Sequence, residues 1–340
     1  MLKAGTEKNG TRITTMTRNI CISGGDGHTG FLIAELILTN NDFKSKVDSV
    51  NVLCLHPSGA RAKELTKLGA KVIPHKPGRE RDMVKTLKDS GSDTICLIPP
   101  AHKDKFDVTV ELISATKKAD IPNVLFISTA GCDVAERDKQ PHLRQFIDLE
   151  CLVMAAKGDG STSTGHSPCI IRAGFYAEAQ NDGILPLPIS HSHLMAPVAL
   201  GDISQLAAHV LTGKGQNGFD DRHRGQLMVC TGPKLCTGLQ IAETASKMLG
   251  SSMEFEDVSE AEAKKVLKAQ SDSDASELQY LLQYYSLVRE GKTNYISTTA
   301  FVSVTGNHPQ EPEDFFNTYA KSFLRKGGGE DGHASKKRKA

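Results

Sequence analysis

Three glycines at three-residue intervals follow a short apolar run near the start of the chain. Residues 19–34 read NICISGGDGHTGFLIA, the pattern of a strand, a tight turn and a helix. Gly24 allows a sharp turn, Gly27 allows a pyrophosphate to approach the backbone, and Gly30 allows the helix to pack closely on the sheet. The helix N-terminus adds free N–H groups and a positive dipole end. We predict a dinucleotide-binding turn that uses Gly24, Gly25, Gly27, His28, Thr29 and Gly30.

The spacing of this turn is G-x-x-G-x-x-G, whereas many dehydrogenases have G-x-G-x-x-G. Because turns are rich in glycine in any protein, the alternative is a turn with a purely structural role. The strand before the glycines and the helix after them favour phosphate binding.

The residues after the second predicted strand bear on which dinucleotide is bound. Proteins that use NAD generally place a carboxylate there for the ribose hydroxyls, whereas proteins that use NADP place basic groups for the 2′-phosphate. Residues 54–61 read CLHPSGAR, and the next acid is Glu64. We therefore predict NADP(H) as the preferred cofactor, with NAD(H) as the alternative. His56, Ser58 and Arg61 are predicted to bind the phosphate, although His56 is only partly charged near neutral pH and Arg61 could be an ordinary surface residue.

The sequence lacks the catalytic pair of ordinary short-chain dehydrogenases, a Tyr with a Lys four residues later. Tyrosines occur at positions 176, 280, 284, 285, 295 and 319, and none has that partner. In the helix before the sixth strand, residues 142–150 read HLRQFIDLE and include no lysine. Arg144 cannot replace it as a proton donor because guanidinium stays charged. Catalytic residues are therefore unknown from the sequence.

Two residues are weak catalytic candidates. His142 could act as an acid or base, and the alternative is a surface histidine at a helix start. Ser128 closes the fifth predicted strand, so it could bond to the cofactor or substrate, and the alternative is a strand-end cap. Glu150 is read as part of the solvated helix face.

Two further positions complete the predicted cleft. Phe175, with Tyr176, is expected to wall the nicotinamide and substrate region, and core packing is an equal alternative. Pro99 ends the fourth strand and is assigned to the cofactor side.

The elements that must position these residues alternate along the chain. Strands are predicted at 49–56, 71–74, 93–98, 123–128 and 169–172, and helices at 60–68, 81–88, 105–119 and 142–157, with Ser58 as the cap of the helix at 60–68. Such alternation requires right-handed crossovers and predicts an α/β, Rossmann-type, doubly wound parallel sheet. The expected division is a leader at 1–17, a nucleotide domain at 18–175 completed by 202–231, a small carboxy-terminal α/β lobe from 176–201 and 232–325, and a basic tail at 326–340.

In this small lobe, helices are predicted at 239–249, 260–268 and 276–290, and a strand at 253–258. The helix at 276–290 has an apolar stripe, which predicts core packing rather than a partner groove. Its members are Leu278, Leu281, Leu282, Tyr285 and Val288.

The chain resembles NmrA-like proteins, which are atypical relatives of the short-chain dehydrogenases. The resemblance spans about residues 18–325 and rests on the glycine turn, STAG at 128–131, IIRAGFYAE at 170–178, VALGDI at 198–203 and EGK at 290–292. It implies an NAD(P)-binding domain with a small carboxy-terminal lobe. Members of that family include reductases and redox-sensing regulators.

Composition excludes several other classes. A formal net charge of +1 gives no reason to expect direct nucleic-acid binding, and no apolar run approaches the length of a membrane span. The eight cysteines form no C-x-x-C motif, so we expect reduced core thiols in a cytoplasmic protein. The basic run KKRK at 336–339 could instead direct the protein to the nucleus. His191 and His193 have no evident third ligand, so no metal site is predicted.

Two functions remain open from the sequence. The first, which the missing Tyr/Lys pair favours, is a nucleotide-sensing regulator that engages a protein partner. The second is an atypical NADPH-dependent reductase of a small hydrophobic carbonyl, quinone or aromatic substrate. The insertion at 158–167 and a predicted loop at 180–197 could shape its pocket.

Overall fold

The structure is a computed structural model that describes residues 18–100, 102–155, 168–176, 183–213, 215, 219–220, 222–270 and 275–324. The predicted leader, the insertion at 158–167 and the basic tail lie outside these residues. The strands are β1 (Arg18–Ile22), β2 (Val47–Cys54), β3 (Lys71–Pro74), β4 (Thr94–Leu97), β5 (Asn123–Thr129), β6 (Cys169–Ala173), β7 (Ile184–Leu187), β8 (Leu227–Cys230) and β9 (Glu254–Asp257). The helices are α1 (His28–Thr39), α2 (Asn41–Lys44), α3 (Ala60–Leu68), α4 (Glu80–Asp89), α5 (Lys105–Lys118), α6 (Pro141–Ala155), α7 (Leu200–Leu211), α8 (Gly238–Leu249), α9 (Glu260–Gln270), α10 (Ala275–Arg289), α11 (Thr299–Thr305) and α12 (Pro312–Leu324).

Seven parallel strands form the main sheet in the order β3-β2-β1-β4-β5-β6-β8. The prediction of a doubly wound, Rossmann-like α/β fold is confirmed. The strand order reverses direction between β1 and β4, and the crevice outside the carboxyl ends of the strands at such a point is where ligands bind in this architecture. The glycine turn follows β1, so it lies at this crevice.

Helices cover both faces of the sheet because its strands are apolar on both sides. One face carries α1 and α7, whose Ile33, Ile37 and Leu206 join the first buried cluster. The other face carries α4, α5 and α6, which contribute Leu87, Leu112 and other apolar residues. Helix α3 has the predicted ends, and Gly69 terminates it in the left-handed conformation with φ +106°. Its N-cap is Gly59, without a side-chain cap, so the prediction that Ser58 caps this helix is wrong.

The carboxy-terminal elements build a second apolar cluster beside the carboxyl end of β6. Strands β7 and β9 pair in parallel as a two-stranded sheet, and α8 packs against both it and α12. Four members of the predicted stripe on α10 are buried here or in the adjoining cluster, namely Leu278, Leu282, Tyr285 and Val288. The sequence predicted a loop at 180–197, but residues 184–187 form β7, whose ILPL sequence was too short to be distinguished from an apolar loop.

A buried carboxylate on α7 ties the carboxy-terminal segment to the main sheet. Asp202 is 2% exposed, and its Oδ2 accepts a hydrogen bond from the backbone N–H of Gln310 at 2.9 Å. Burial raises the pKa of this carboxyl from its ordinary 3.8 to about 6, against the opposing effects of that hydrogen bond and of His308.

The raised pKa of Asp202 predicts a specific loss of stability with rising pH. Between about pH 4 and 6 the unfolded chain releases a proton that the folded chain retains, so this group lowers the free energy of unfolding by up to about 3 kcal/mol across that window. Below the window both states are protonated and the effect vanishes. In Asp202→Asn this contribution is absent. Urea unfolding of both proteins at about pH 4, 5, 6 and 7 measures the difference, and a constant difference would contradict the prediction.

Candidate functional site

The glycines of the turn after β1 are required for different physical reasons. Gly24 has φ +63°, a backbone conformation that other residues rarely adopt. A Cβ at Gly30 would lie 2.3 Å from the carbonyl oxygen of Gly24, so α1 could not pack this closely on the turn. A Cβ at Gly25 would lie 1.8 Å from Cγ1 of Val52. A Cβ at Gly27 would meet only the carbonyl oxygen of Gly24, at 3.2 Å. The fold therefore restricts Gly27 least, and a ligand on the turn is the stronger reason for a glycine there.

The N-terminus of α1 is open to an anion. Its N-cap is Gly27, which provides no side-chain cap, and no acid occupies the first turn. His28 is exposed and Thr29 is half-buried at this end of the helix. These features fit a phosphate group, because a helix N-terminus attracts negative charge through its N–H groups and dipole.

Ser23 binds the turn to β4 across the point where the strand order reverses. Its Oγ accepts from the backbone N–H of Ile98 at 2.7 Å and lies 3.1 Å from the carbonyl oxygen of Ile98, to which it donates. Its own backbone N–H bonds to the carbonyl oxygen of Cys96. Pro99, predicted on the cofactor side, follows directly and is half-buried beside the turn. These hydrogen bonds fix the backbone at the base of the crevice.

A carboxylate that the sequence analysis did not consider reaches the end of β2. Oδ2 of Asp26 accepts from the backbone N–H of His56 at 2.7 Å and lies 3.2 Å from its Nδ1. Arg61 donates from its guanidinium to the backbone carbonyl of Asp26 at 3.1 Å. The structure therefore brings His56 and Arg61 together beside the turn, with one acid between them, while Ser58 is exposed. An acid that contacts the ribose is expected after β2, whereas Asp26 lies about 20 residues before that strand. The sequence pattern therefore gave no sign of it.

His75 follows β3 at the same edge of the sheet. It is 4% exposed, and its Nε2 has no hydrogen-bond partner among the described residues. Burial lowers the pKa of this imidazole, against the raising effects of Glu111 and Asp26. A neutral, buried imidazole therefore lies near the acid of the turn.

Ser128 belongs to a buried polar cluster at the carboxyl ends of β5 and β6. Its Oγ donates to Oε1 of Glu150 at 2.6 Å. Arg172 donates to both carboxylate oxygens of Glu150, from Nε at 2.8 Å and from Nη2 at 2.7 Å. Glu150 is 5% exposed, so its predicted place on a solvated helix face is wrong. The Glu150 carboxylate already has four donors, the fourth being Sγ of Cys132 at 3.5 Å from Oε1, and Ser128 has committed its proton.

Two neighbours extend this cluster. Nη1 of Arg172 forms an ion pair with Asp133 at 2.8 Å, and the hydrogen bonds to Glu150 are the main reason that the pKa of Arg172 rises further above its usual value. Burial, followed by the charge of Glu150, raises the pKa of the Cys132 thiol to about 12. All eight cysteines are free and seven are buried, whereas Cys151 is exposed, contrary to the expectation of core thiols throughout.

His142, the other catalytic candidate, contacts a different part of the molecule. Its Nδ1 lies 2.7 Å from Nε2 of Gln283 on α10, and its ring makes an edge contact with Tyr280. Burial, followed by the charge of Lys105, lowers the pKa of this imidazole. The structure gives His142 none of the partners of Ser128, and its catalytic role stays a prediction.

Phe175 and Tyr176 open a cavity directly after β6. The cavity encloses about 570 Å³ of empty space, counted out to its mouth. Phe175 stacks on Tyr284 with ring centroids 4.9 Å apart. The other lining residues are Leu185, Leu187, Met195, Pro197, Ala199, Ile241, Tyr285, Gln310, Pro312, Phe315 and Phe316. Because β6 is parallel to β1, this apolar space lies at the same edge of the sheet as the glycine turn.

No group of three potential metal ligands occurs within the described ranges. His193 bonds through Nδ1 to Ser190, and His191 contacts the ring of Phe255. No helix in the part of the chain that the structure describes is long and apolar enough to cross a membrane.

Comparison with known proteins adds one relative by sequence. No family model matches the chain. The Prestalk A differentiation protein A of Dictyostelium discoideum is 27% identical over 177 residues, which cover 50% of this chain and 56% of that protein. The chain thus matches about half the length of this curated relative.

Solved structures resemble the chain over most of its length. A Citrobacter sp. triphenylmethane reductase complexed with NADP(H) has a TM-score of 0.69 at 15% identity, over 88% of this chain and 99% of that one. An NADPH-dependent quinone oxidoreductase from Escherichia coli has a TM-score of 0.68 at 18% identity, over the same shares. A leucoanthocyanidin reductase from Vitis vinifera has a TM-score of 0.65 at 14% identity, over 89% and 99%. The chain shares the fold of these proteins.

Because Arg172 and Glu150 form a buried ion pair, we predict that removal of Arg172 strongly lowers the free energy of unfolding. In Arg172→Met the Glu150 carboxylate stays buried without its cation, so we expect a loss of about 3 to 5 kcal/mol in the free energy of unfolding. The matched control is Arg137→Met, because Arg137 also donates two hydrogen bonds to a carboxylate of α6, Asp148, but at the surface. It should lose much less. Equal losses in urea unfolding would contradict the burial argument.

Proposed function

We propose that this chain is an NADP(H)-binding protein of the NmrA-like type, and that it works as an atypical reductase of small apolar acceptors. The observation that carries the proposal is the arrangement along one edge of the sheet: an α-helix without a side-chain N-cap behind a glycine turn, then an apolar cavity after β6. The relatives in fold include reductases that bind NADP(H), which supports the proposal.

The residues of the turn fit a dinucleotide in distinct roles. Gly24 and Gly30 hold the turn against α1, and Gly27 leaves room for a pyrophosphate. Arg61 provides the positive charge for a 2′-phosphate, while His56 lies exposed beside it. When bound, NADPH supplies a hydride. The cavity behind Phe175 and Tyr176 holds the acceptor and shields it from water with apolar walls.

The polar cluster argues against Ser128 or Glu150 as the acid that protonates the reduced substrate. Ser128 donates its proton to Glu150, and Glu150 is bound to Arg172. This arrangement suits a strongly electrophilic acceptor, such as a quinone, whose reduced anion takes its proton from water after it leaves the cavity. The same observation keeps the nucleotide-sensing regulator as the second candidate, since a regulator needs no acid.

Gly27 tests cofactor binding with little risk to the fold. In Gly27→Val the side chain would stand where the pyrophosphate approaches, so we expect NADPH affinity to fall beyond detection in calorimetry, with thermal stability close to that of the wild type. Unchanged NADPH affinity in the folded variant would contradict the proposed site.

The pair of Arg61 and Asp26 is predicted to set cofactor preference. Arg61→Ala should weaken NADPH by about ten- to a hundredfold and barely affect NADH, since a charged hydrogen bond is lost. Asp26→Asn keeps an acceptor for His56 and removes a negative charge, so it should strengthen NADPH by about fivefold or more relative to NADH. Calorimetry with both dinucleotides measures each effect. A parallel change for both cofactors in either variant would show that its residue is not a determinant of preference.

Turnover distinguishes the two candidate functions. Purified protein should oxidise NADPH in the presence of 1,4-naphthoquinone, followed by the loss of absorbance at 340 nm, and should show little activity with simple ketones. Gly27→Val is the control for reduction that does not use the site. Tight NADPH binding without turnover of quinones, aldehydes or enones would favour the regulator. Robust ketone reduction that His142→Ala abolishes, with cofactor binding retained, would make His142 the acid.

A further inference from the structure

One polar side chain in the wall of the apolar cavity has an oxygen without a hydrogen-bond partner among the described residues. Gln310 forms part of its wall, and Oε1 of Gln310 is buried without a hydrogen-bond partner among the described residues. Most of the remaining lining is aliphatic or aromatic, with hydroxyls only on Tyr176 and Tyr285. An unpaired buried acceptor is costly, so few occur in folded proteins.

The backbone of Gln310 is fixed while its amide can turn. The N–H of Gln310 donates to the buried Asp202, and Pro312 begins α12 two residues later. The terminal torsion of a glutamine side chain is broad. The amide can therefore orient toward an occupant of the cavity without a change in the fold.

Water is a poor occupant for this space. A buried water needs two to four polar partners, and large apolar cavities stay dry. An organic molecule with an apolar body gains from the walls, and a single donor on that body would satisfy the acceptor. Five aromatic rings line the space and favour a flat ring system, since offset and edge contacts between rings are favourable. They belong to Phe175, Tyr176, Tyr285, Phe315 and Phe316.

We propose that the cavity binds a flat aromatic molecule with one hydroxyl, and that Oε1 of Gln310 accepts the hydrogen bond from that hydroxyl. The proposal deepens the proposed function and rests on it, since the cavity is the acceptor site described above. Phenols have this chemistry, and the hydroquinone that quinone reduction yields can offer either of its two hydroxyls to the same acceptor. Binding itself needs no dinucleotide.

The test compares three probes that share one ring system, in the absence of dinucleotide. 2-Naphthol carries a donor, 2-methoxynaphthalene carries an acceptor alone, and naphthalene carries neither. Fluorescence titration should show 2-naphthol binding about tenfold more tightly than either of the others. Gln310→Leu should remove this preference and bind naphthalene at least as well as the wild type does. The matched control, Gln279→Leu, changes an exposed glutamine of α10 and should keep the preference.

The location is tested by filling the cavity. Ile241→Phe adds volume at its wall and should weaken all three probes together. Equal binding of the three probes to the wild type, or no binding, would overturn the proposal. Equal binding of 2-naphthol and 2-methoxynaphthalene would show that the amide of Gln310 presents its N–H to the probe. Unchanged binding to Ile241→Phe would show that the probes bind elsewhere. Either result also overturns the proposal.

These outcomes are separate from the fate of the dinucleotide site. The comparison of probes on the wild type is valid even where a variant fails to fold. NADPH affinity, measured on Gln310→Leu, should equal that of the wild type. If the wild type does not bind dinucleotide, the proposed function is refuted and the probe selectivity is unaffected. If the wild type binds NADPH but does not distinguish the probes, this inference alone is refuted.

Discussion

The close contact between α1 and the glycine turn is the constraint on which the proposed nucleotide-binding edge depends. A single methyl group at Gly30 would overlap the carbonyl oxygen of Gly24, so the helix lies against the turn only because no side chain intervenes. Ser23 then binds this turn to Ile98 through both its Oγ hydrogen bonds. The crevice between β1 and β4 is therefore narrow, rigid and lined by backbone. Such a surface binds phosphate by position and dipole more than by side-chain charge.

Two carboxylates at the same edge of the main sheet have contrasting surroundings. Glu150 is buried and receives four hydrogen bonds, two of them from Arg172, so its negative charge is balanced within the protein. Asp26 lies at the turn, where its carboxylate accepts from the backbone N–H of the exposed His56 and Arg61 bonds to its backbone carbonyl rather than to its carboxylate. The first carboxylate stabilises the fold around the cluster of Ser128. In the proposed function, the negative charge of the second opposes the positive charge of Arg61 and so affects the choice between NAD and NADP.

The carboxy-terminal elements enclose the apolar cavity, which the main sheet alone does not form. Strand β7, helices α8 and α10 and the start of α12 enclose an apolar space after β6, and Asp202 fixes the loop that leads into α12. A buried acid with a raised pKa and an unpaired amide oxygen both lie at this junction. Both groups cost stability, and a ligand that satisfies Gln310 would recover part of that cost.

The sequence by itself determined the alternating strands and helices, the glycine turn and the termination of α3 at Gly69. These features depend on local backbone sterics and on the period of apolar residues, which neighbouring residues specify. The ends of the elements shifted by one or two residues, and β7 was missed because four residues carry too little pattern. The tertiary structure alone decided the position of Asp26 at the end of β2, the burial of Glu150 against Arg172, and the place of Gln310 in the cavity wall. The chain separations are 30, 22 and 108 residues for the contacts of Asp26 with His56, Glu150 with Arg172, and Gln310 with Asp202. Contacts at such distances depend on how the sheet and helices pack, and no local pattern in the sequence records that packing.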